Sequence, residues 1–395
     1  MGLPSTQEAP DARWKVKAAL DWTVSYLERH GDEHPRQSAE WLLSHGCGLS
    51  RIQLYMNFER ELSADERAWL RQAVARRGAG EPLQYITGEV AFRHITVKVR
   101  PGVLIPRPET EVLVSEVLAE LPAPKRRVAL DSTIEAWEGD VLIEAARAEA
   151  AQQGAALQPF APAGSAASDG MLPEEQDEPQ VPPAVFESFG TRVADEPEPD
   201  EDQPASVPDA SPAAQASAAD GVLLVADIGT GSGCIACSLA QEHGDVRVIA
   251  TDVSDEALGL ARENVRSLGL DAVVKVIRSD LASAVPGRYR GRLDAVVSNP
   301  PYIPTAVMAS LSPEVAAFEP SLALDGGADG LDVFRRLTPQ ALAFLKSGGI
   351  FACELHETCL DDAAAIARAG GFSDVRTVKD LAGRPRVLVA RKPLE

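Results

Sequence analysis

The chain has 395 residues, of which 45% are hydrophobic and 25% charged, and its formal net charge is −21. Such a composition belongs to a globular chain with room for two domains, and no apolar run approaches the ~18–20 residues that would span a bilayer. Five cysteines, an odd number, without a basic-then-apolar leader, point to the reducing cytoplasm rather than a disulfide scaffold.

In chain order, residues 13–78 keep helical periodicity throughout: "WKVKAALDWTVSYLERH", "PRQSAEWLLSHG" and "SADERAWLRQAVARR". The last stretch opens with Ser63 and carries Glu66 three residues on, a capping box. A small helical bundle over residues 1–80 is expected, with Trp14, Trp22 and Trp41 in its core. Residues 81–121 then switch to alternation in "FRHITVKV", a hairpin, followed by the proline-rich "LIPRPETE" and a helix. There Arg107 and Glu109 either cap the next helix or roof a site.

Residues 122–220 hold 20 Asp/Glu against 5 Lys/Arg and 13 of the 29 prolines. Acidic, proline-rich and poor in apolar residues, this segment cannot bury enough surface to offset its ordering entropy, and the expectation is a largely disordered insertion. One helix is expected inside it, over 133–153, where Ile134, Trp137, Val141, Leu142 and Ala145 recur at helical spacing.

Residues 221–395 alternate strand and helix. "VLLVADIG", "VRVIATD", "AVVKVIRSD", "LDAVVSN" and "IFACELH" read as strands, separated by helices and closed by the pair "DVRTVKD" and "RVLVARK". This is α/β, an open doubly wound, Rossmann-like parallel sheet with an antiparallel edge, and its ligands belong at the carboxyl ends of the strands. Four successive strand tips each offer a ligand group. The first is the glycine loop "DIGTGSG" (Asp227, Gly229, Thr230, Gly231, Ser232, Gly233), where the backbone can approach a ligand closely. The second is Asp252, placed to accept both hydroxyls of a ribose. Both a nicotinamide dinucleotide and S-adenosylmethionine carry that ribose, and the G-x-G-x-G spacing leans away from the dinucleotide. The third is Asp280 and Leu281, suited to the edge and face of an adenine; the fourth is Asn299-Pro300-Pro301-Tyr302.

The fourth tip carries the chemistry. A planar –NH₂ group has a delocalised lone pair and is a poor nucleophile. A turn stiffened by two prolines can hold it in place. Asn299 Oδ1 and the Pro300 carbonyl would accept its two N–H bonds, and Tyr302 would supply an aromatic wall and a cation–π contact. The gain then comes from orientation and fixed dipoles, without a strong base.

"EPLQYITGEVAF", "VLIPRPETEVLV", "DIGTGSGCIA", "SNPPYIP" and "FEPSLALDGGADGLDVFRRL" occur in that order, and together they resemble the PrmC/HemK family over about residues 13–121 and 221–392. The resemblance implies an S-adenosylmethionine-dependent methyltransferase domain behind a helical bundle that recognises the substrate. It also implies methyl transfer to the side-chain nitrogen of the glutamine in the Gly-Gly-Gln motif of class 1 peptide-chain release factors. Carried over by position, cofactor contacts fall on Gly229 to Gly233, Asp252, Leu281 and Asn299, and substrate contacts on Asn299, Pro300, Pro301 and Tyr302. The Asn-Pro-Pro-Tyr turn is also shared with nucleic-acid amine methyltransferases, which need a basic face that this acidic chain lacks. A monomeric cytoplasmic enzyme is expected, with no stable nucleic-acid contact, no membrane contact and no metal. Cys353, His356 and Cys359 read as structural, and Cys234 and Cys237 as small packing residues. The segment "ELHETCLDD" (354–362) departs from the family's usual "EIG" followed by a glutamine.

Overall fold

The computed structural model describes residues 14–124 and 221–394. The helix expected over 133–153, with most of the acidic insertion, lies outside the described residues.

Helices Val16–Arg29, Pro35–Cys47, Arg51–Met56, Ala64–Gly78 and Leu83–Thr87 form the bundle. Two capping boxes start them. Ser50 accepts from the Gln53 N–H while Gln53 returns a bond to the Ser50 N–H, and Ser63 and Glu66 do the same. The core is Leu20, Leu27, Leu42, Leu43, Leu54 and Val74, all essentially inaccessible. The tryptophans are not in it as expected: Trp22 and Trp41 are 38% and 37% exposed, and Trp14 is only partly buried. The first helix turns Val16, Ala19, Leu20, Thr23 and Leu27 inward, so residues 22, 26 and 30 fall on another stripe. There Trp22 stacks on Tyr26 at 5.3 Å and Tyr26 on His30 at 4.0 Å, an aromatic ladder along the outside. Helical spacing alone does not say which of two stripes faces the core.

Strands β1 (Glu89–Phe92) and β2 (Ile95–Lys98) make the expected antiparallel hairpin. At its tip Arg93 takes a positive φ of 51° and clasps Glu242 with two bonds of 2.6 and 2.7 Å.

The main sheet has seven strands: β3 (Leu223–Ile228), β4 (Val246–Asp252), β5 (Val274–Arg278), β6 (Leu293–Ser298), β7 (Leu345–Glu354), β8 (Ser373–Lys379) and β9 (Pro385–Arg391), in the order β5-β4-β3-β6-β7-β9-β8. The β5 to β7 block is parallel, and β9 and β8 add the antiparallel edge. The chain runs outward from β3 through β4 to β5, then returns to β6 on the other side of β3. Strand order therefore reverses between β3 and β6, where a crevice opens at the strands' carboxyl ends.

Alternate strand residues feed two cores. Val225, Val248, Val276 and Val297 face helices Thr110–Glu120, Cys234–Glu242 and Asp255–Ser267, whereas Ile228, Ile249, Ile277 and Phe351 face helices Asp332–Phe344 and Leu360–Ala369. Cys234 and Cys237 lie in the first core and Cys353 and Cys359 in the second, as small apolar packing groups; burial pushes the Cys234 thiol up to about 12. No described helix is long and apolar enough to cross a membrane.

Asn264, fully buried, joins the hairpin to the glycine loop. Its Oδ1 accepts the Lys98 N–H at 2.8 Å, and its Nδ2 donates to the carbonyls of Lys98 at 3.0 Å and Ser232 at 2.9 Å. Asn264→Ala leaves these backbone groups short of partners. Urea denaturation should show a loss of about 2–4 kcal/mol.

Candidate active site

The reversal puts two strand tips side by side. Ile228 at the end of β3 is in register with Ser298 at the end of β6, and the Ser298 hydroxyl donates to the Ile228 carbonyl at 2.7 Å. The glycine loop that follows Ile228 and the Asn299 turn that follows Ser298 are thereby neighbours, at the floor of a cleft of about 530 Å³.

The loop folds back over β4. Gly229 and Thr230 donate to the Thr251 carbonyl, each at 2.8 Å, and Gly229, Gly231 and Gly233 all take positive φ, 73°, 56° and 82°. A Cβ on Gly229 would meet nothing within 4 Å, so the backbone there is open to a ligand. A Cβ on Gly233 would sit 3.3 Å from Ala261, so this glycine serves helix packing. Asp227 is not in the cleft lining. It lies fully buried below the loop, where Oδ2 accepts from the Thr230 hydroxyl at 2.6 Å and the Ala236 N–H at 3.1 Å while Oδ1 has no partner. Burial pushes its carboxyl up to about 7.

Gly229, Thr230, Gly231, Ser232, Asp252, Asp280, Leu281, Asn299 and Pro301 all line the cleft. The Asp252 carboxylate is held by the N–H groups of Gly231 at 2.9 Å and Ser254 at 3.0 Å, which leaves each oxygen a further lone pair for a diol. Leu281 has φ of 54°, an uncommon conformation for a branched side chain, and its carbonyl accepts from the Thr251 hydroxyl at 3.0 Å. Asp280 pairs with Arg336 across the cleft at 2.5 Å.

The Asn299 turn is gripped from several sides. Its Nδ2 donates to the Thr110 hydroxyl at 3.1 Å. Pro300 is buried, and neither it nor Tyr302 belongs to the lining. The Tyr302 hydroxyl instead donates to Glu354 Oε1 at 3.1 Å. Burial raises the phenol, with the nearby Glu354 charge adding to it, so the phenol stays protonated. Behind the turn runs "LDGGADG": Ile303 donates to the Leu324 carbonyl at 2.9 Å and Gly326 returns a bond to the Ile303 carbonyl at 2.8 Å. A Cβ on Gly326 would stand 2.7 Å from Tyr302 Cα and 2.8 Å from the Pro301 carbonyl, so only glycine lets this loop lie flush against the turn.

In "PRPETE", Glu109 sits at the helix N-cap with helical dihedrals and makes no capping bond; its partner is Arg384 at 3.4 Å. Arg107 lines the cleft and pairs with buried Glu319, so the pair does not cap the helix. In "ELHETCLDD", Glu354 lies beneath Tyr302, His356 accepts from the Thr358 N–H at 3.4 Å, and Cys359 Sγ contacts the Asp329 carbonyl at 3.4 Å. No three-ligand metal cluster occurs among the described residues. Thr110 and Glu354 escaped the sequence reading as site residues. Their only signal was membership of two motifs whose purpose the sequence does not state.

A doubly wound sheet with a glycine cradle, a diol-facing carboxylate and a polar turn at its switch point defines the class: a Rossmann-like methyltransferase. Residues 18–88 match the PrmC N-terminal domain, and residues 217–311 match the methyltransferase small domain. Release factor glutamine methyltransferases align over nearly the whole chain. The Cereibacter sphaeroides protein is 40% identical across 95% of this chain and 98% of its own, and that of Moorella thermoacetica is 34% identical across 95% and 98%. The protein from Koribacter versatilis is 33% identical across 96% and 99%. The chain belongs to the release factor glutamine methyltransferase family. The cofactor is S-adenosylmethionine, and the open backbone at Gly229 and the oriented Asp252 carboxylate fit it.

Asp227 makes stability depend on pH. Its folded value of about 7 lies above the ordinary carboxyl value of 3.8, so between these limits the native state holds a proton that the unfolded chain has released. Stability from this group is therefore greatest below the lower value and is lost as pH rises through the upper one. Asp227→Asn should remove that slope. In urea titrations at several pH values, the variant's stability relative to the parent should rise on going from acid to neutral, by on the order of a few kcal/mol.

Proposed function

We propose that this protein transfers the methyl group of S-adenosylmethionine to the side-chain nitrogen of the glutamine in the Gly-Gly-Gln motif of class 1 peptide-chain release factors. The observation that carries this reading is the orientation of Asn299: its Nδ2 is committed to Thr110, which leaves Oδ1 free to accept from a ligand amide. The cofactor supplies a sulfonium-activated methyl group. Everything else is the protein's work. Gly229, Thr230, Gly231 and Ser232 cradle the amino-acid part of the cofactor, Asp252 accepts the ribose hydroxyls, and Asp280 and Leu281 border the adenine. Asp227 and Gly233 act one layer down, holding the loop in shape.

On the substrate side, Asn299 Oδ1 and the Pro300 carbonyl accept the two N–H bonds of the glutamine amide. That draws electron density onto the nitrogen and fixes the direction of its lone pair, in a setting whose dipoles need no rearrangement during reaction. Pro301 stiffens the turn against the substrate, and Tyr302, tied to Glu354, anchors its end; the anchor, rather than a cation–π wall, is the role its hydroxyl bond supports. The bundle of residues 1–80 is assigned to docking the rest of the release factor, for which its exposed Trp41, Ile52, Tyr55 and Met56 offer apolar purchase. Residues 81–121 join it to the catalytic domain of residues 221–395. The setting is the cytoplasm, and the enzyme acts as a monomer.

Labelled S-adenosylmethionine, incubated with release factor, with the same factor carrying alanine for the motif glutamine, and with an unmethylated DNA duplex, tests the assignment. Label on the unaltered factor alone is expected. Label on the DNA, or undiminished label on the altered factor, overturns it.

A further inference from the structure

Beneath the active-site turn lies a chain of side chains that the reaction as described does not use. Thr110, 2% exposed, is the first residue of helix Thr110–Glu120, and its hydroxyl receives Asn299 Nδ2 at 3.1 Å. Glu354, 1% exposed at the end of β7, receives the Tyr302 hydroxyl at 3.1 Å on Oε1, while Oε2 has no partner. Thr110 also interacts with this carboxyl: burial pushes Glu354 up, and the Thr110 and Tyr302 hydroxyls, with Arg386, draw it back toward the charged form against the repulsion of Glu109. Both ends of the catalytic turn thus rest on one buried carboxylate, reached through one hydroxyl.

The arrangement bears on a problem that packing cannot solve. The two ends of an asparagine amide have nearly the same shape, so contacts of size alone do not tell Oδ1 from Nδ2. Hydrogen-bond direction does. A carboxylate only accepts, whereas a threonine hydroxyl has a single proton to give. Set against Glu354, Thr110 gives its proton to the carboxylate and keeps only lone pairs for Asn299. Those lone pairs accept Nδ2–H and refuse Oδ1, so Oδ1 is turned to the cleft. Without the carboxylate the Thr110 hydroxyl is free to donate to Oδ1. The amide would then flip, presenting N–H groups to a substrate that itself offers N–H.

We propose that Thr110 and Glu354 are positioning residues that fix the flip of the Asn299 amide through a one-way chain, Asn299 to Thr110 to Glu354, with Tyr302 pinned to the same carboxylate. The proposal rests on the assignment of Asn299 as the acceptor of the substrate amide. It explains why "PRPETE" and the end of β7, far apart in sequence, both meet at this turn, and why a carboxylate is kept where burial opposes it.

The test uses the full chain with Thr110→Val, Thr110→Ser and Glu354→Gln. Thr110→Val keeps the shape and removes the hydroxyl; Thr110→Ser keeps the hydroxyl; Glu354→Gln replaces an acceptor-only group by one that also donates. Single-turnover methyl transfer to release factor should fall about 10–100-fold in Thr110→Val and Glu354→Gln, with the dissociation constant of S-adenosylhomocysteine within about threefold of the parent and Thr110→Ser close to parental in both. Parental turnover in Thr110→Val, or an equal loss in Thr110→Ser, overturns the proposal. The chain contains three asparagines, Asn57, Asn264 and Asn299, so selective ¹⁵N-asparagine labelling resolves the Asn299 side-chain amide directly. Its protons should be protected from exchange in the parent and in Thr110→Ser and unprotected in Thr110→Val; protection that survives Thr110→Val overturns the proposal. This readout needs no methyl acceptor. Failure of the parent to label release factor would therefore sink the functional assignment while the amide chain is still judged.

Discussion

The register that sets Ile228 beside Ser298 is the constraint from which the active site follows. Those two residues end adjacent parallel strands at the point where strand order reverses, and the Ser298 hydroxyl ties them together at 2.7 Å. The residues just beyond them, Gly229 and Asn299, are therefore held near each other before any ligand arrives. One serves the methyl donor and the other the acceptor. A weakly nucleophilic amide nitrogen gains most from geometry fixed in advance, and a rigid sheet is a better source of such geometry than a loop.

The protein spends stability around this cleft. Asp227, Glu319 and Glu354 are buried carboxyls, each with an oxygen that has no partner, and burial raises all three above the ordinary carboxyl range. Buried polar groups of this kind cost free energy unless satisfied, and they gather here rather than in the bundle core. Each sits one layer behind a cleft residue: Asp227 under Thr230, Glu319 behind Arg107, Glu354 under Tyr302. The bundle is wired to the same region. Arg77 bonds Asp32 at 2.6 Å within the bundle and Glu314 at 3.2 Å in the segment that leads to Glu319 and the cleft wall. A substrate docked on the bundle thus meets a framework continuous with the cleft.

Much of this was legible in the chain, for physical reasons. Strand tips announce themselves through glycine and proline, because sharp turns and close backbone approach require them; hence the four tips, the hairpin and the capping boxes were readable. What tertiary contact decides was not. The spacing of Trp22 and Trp41 is helical whichever way the helix faces, and only the neighbouring stripe of Leu20 and Leu27 turned them outward. Glu109 looks like a cap but takes helical dihedrals and reaches Arg384 instead. The strained φ of Leu281 and the flush packing of Gly326 on Tyr302 depend on chain segments that meet only in the fold. Thr110 and Glu354 stand 244 positions apart, and no local pattern joins them.

The central claim is catalysis by orientation of an amide, and the most direct measurement is Asn299→Ala, scored for methyl transfer to release factor and, separately, for affinity for the cofactor. The account predicts that transfer is abolished while cofactor affinity changes little, because Asn299 mainly orients the acceptor. Normal turnover by the variant would contradict it.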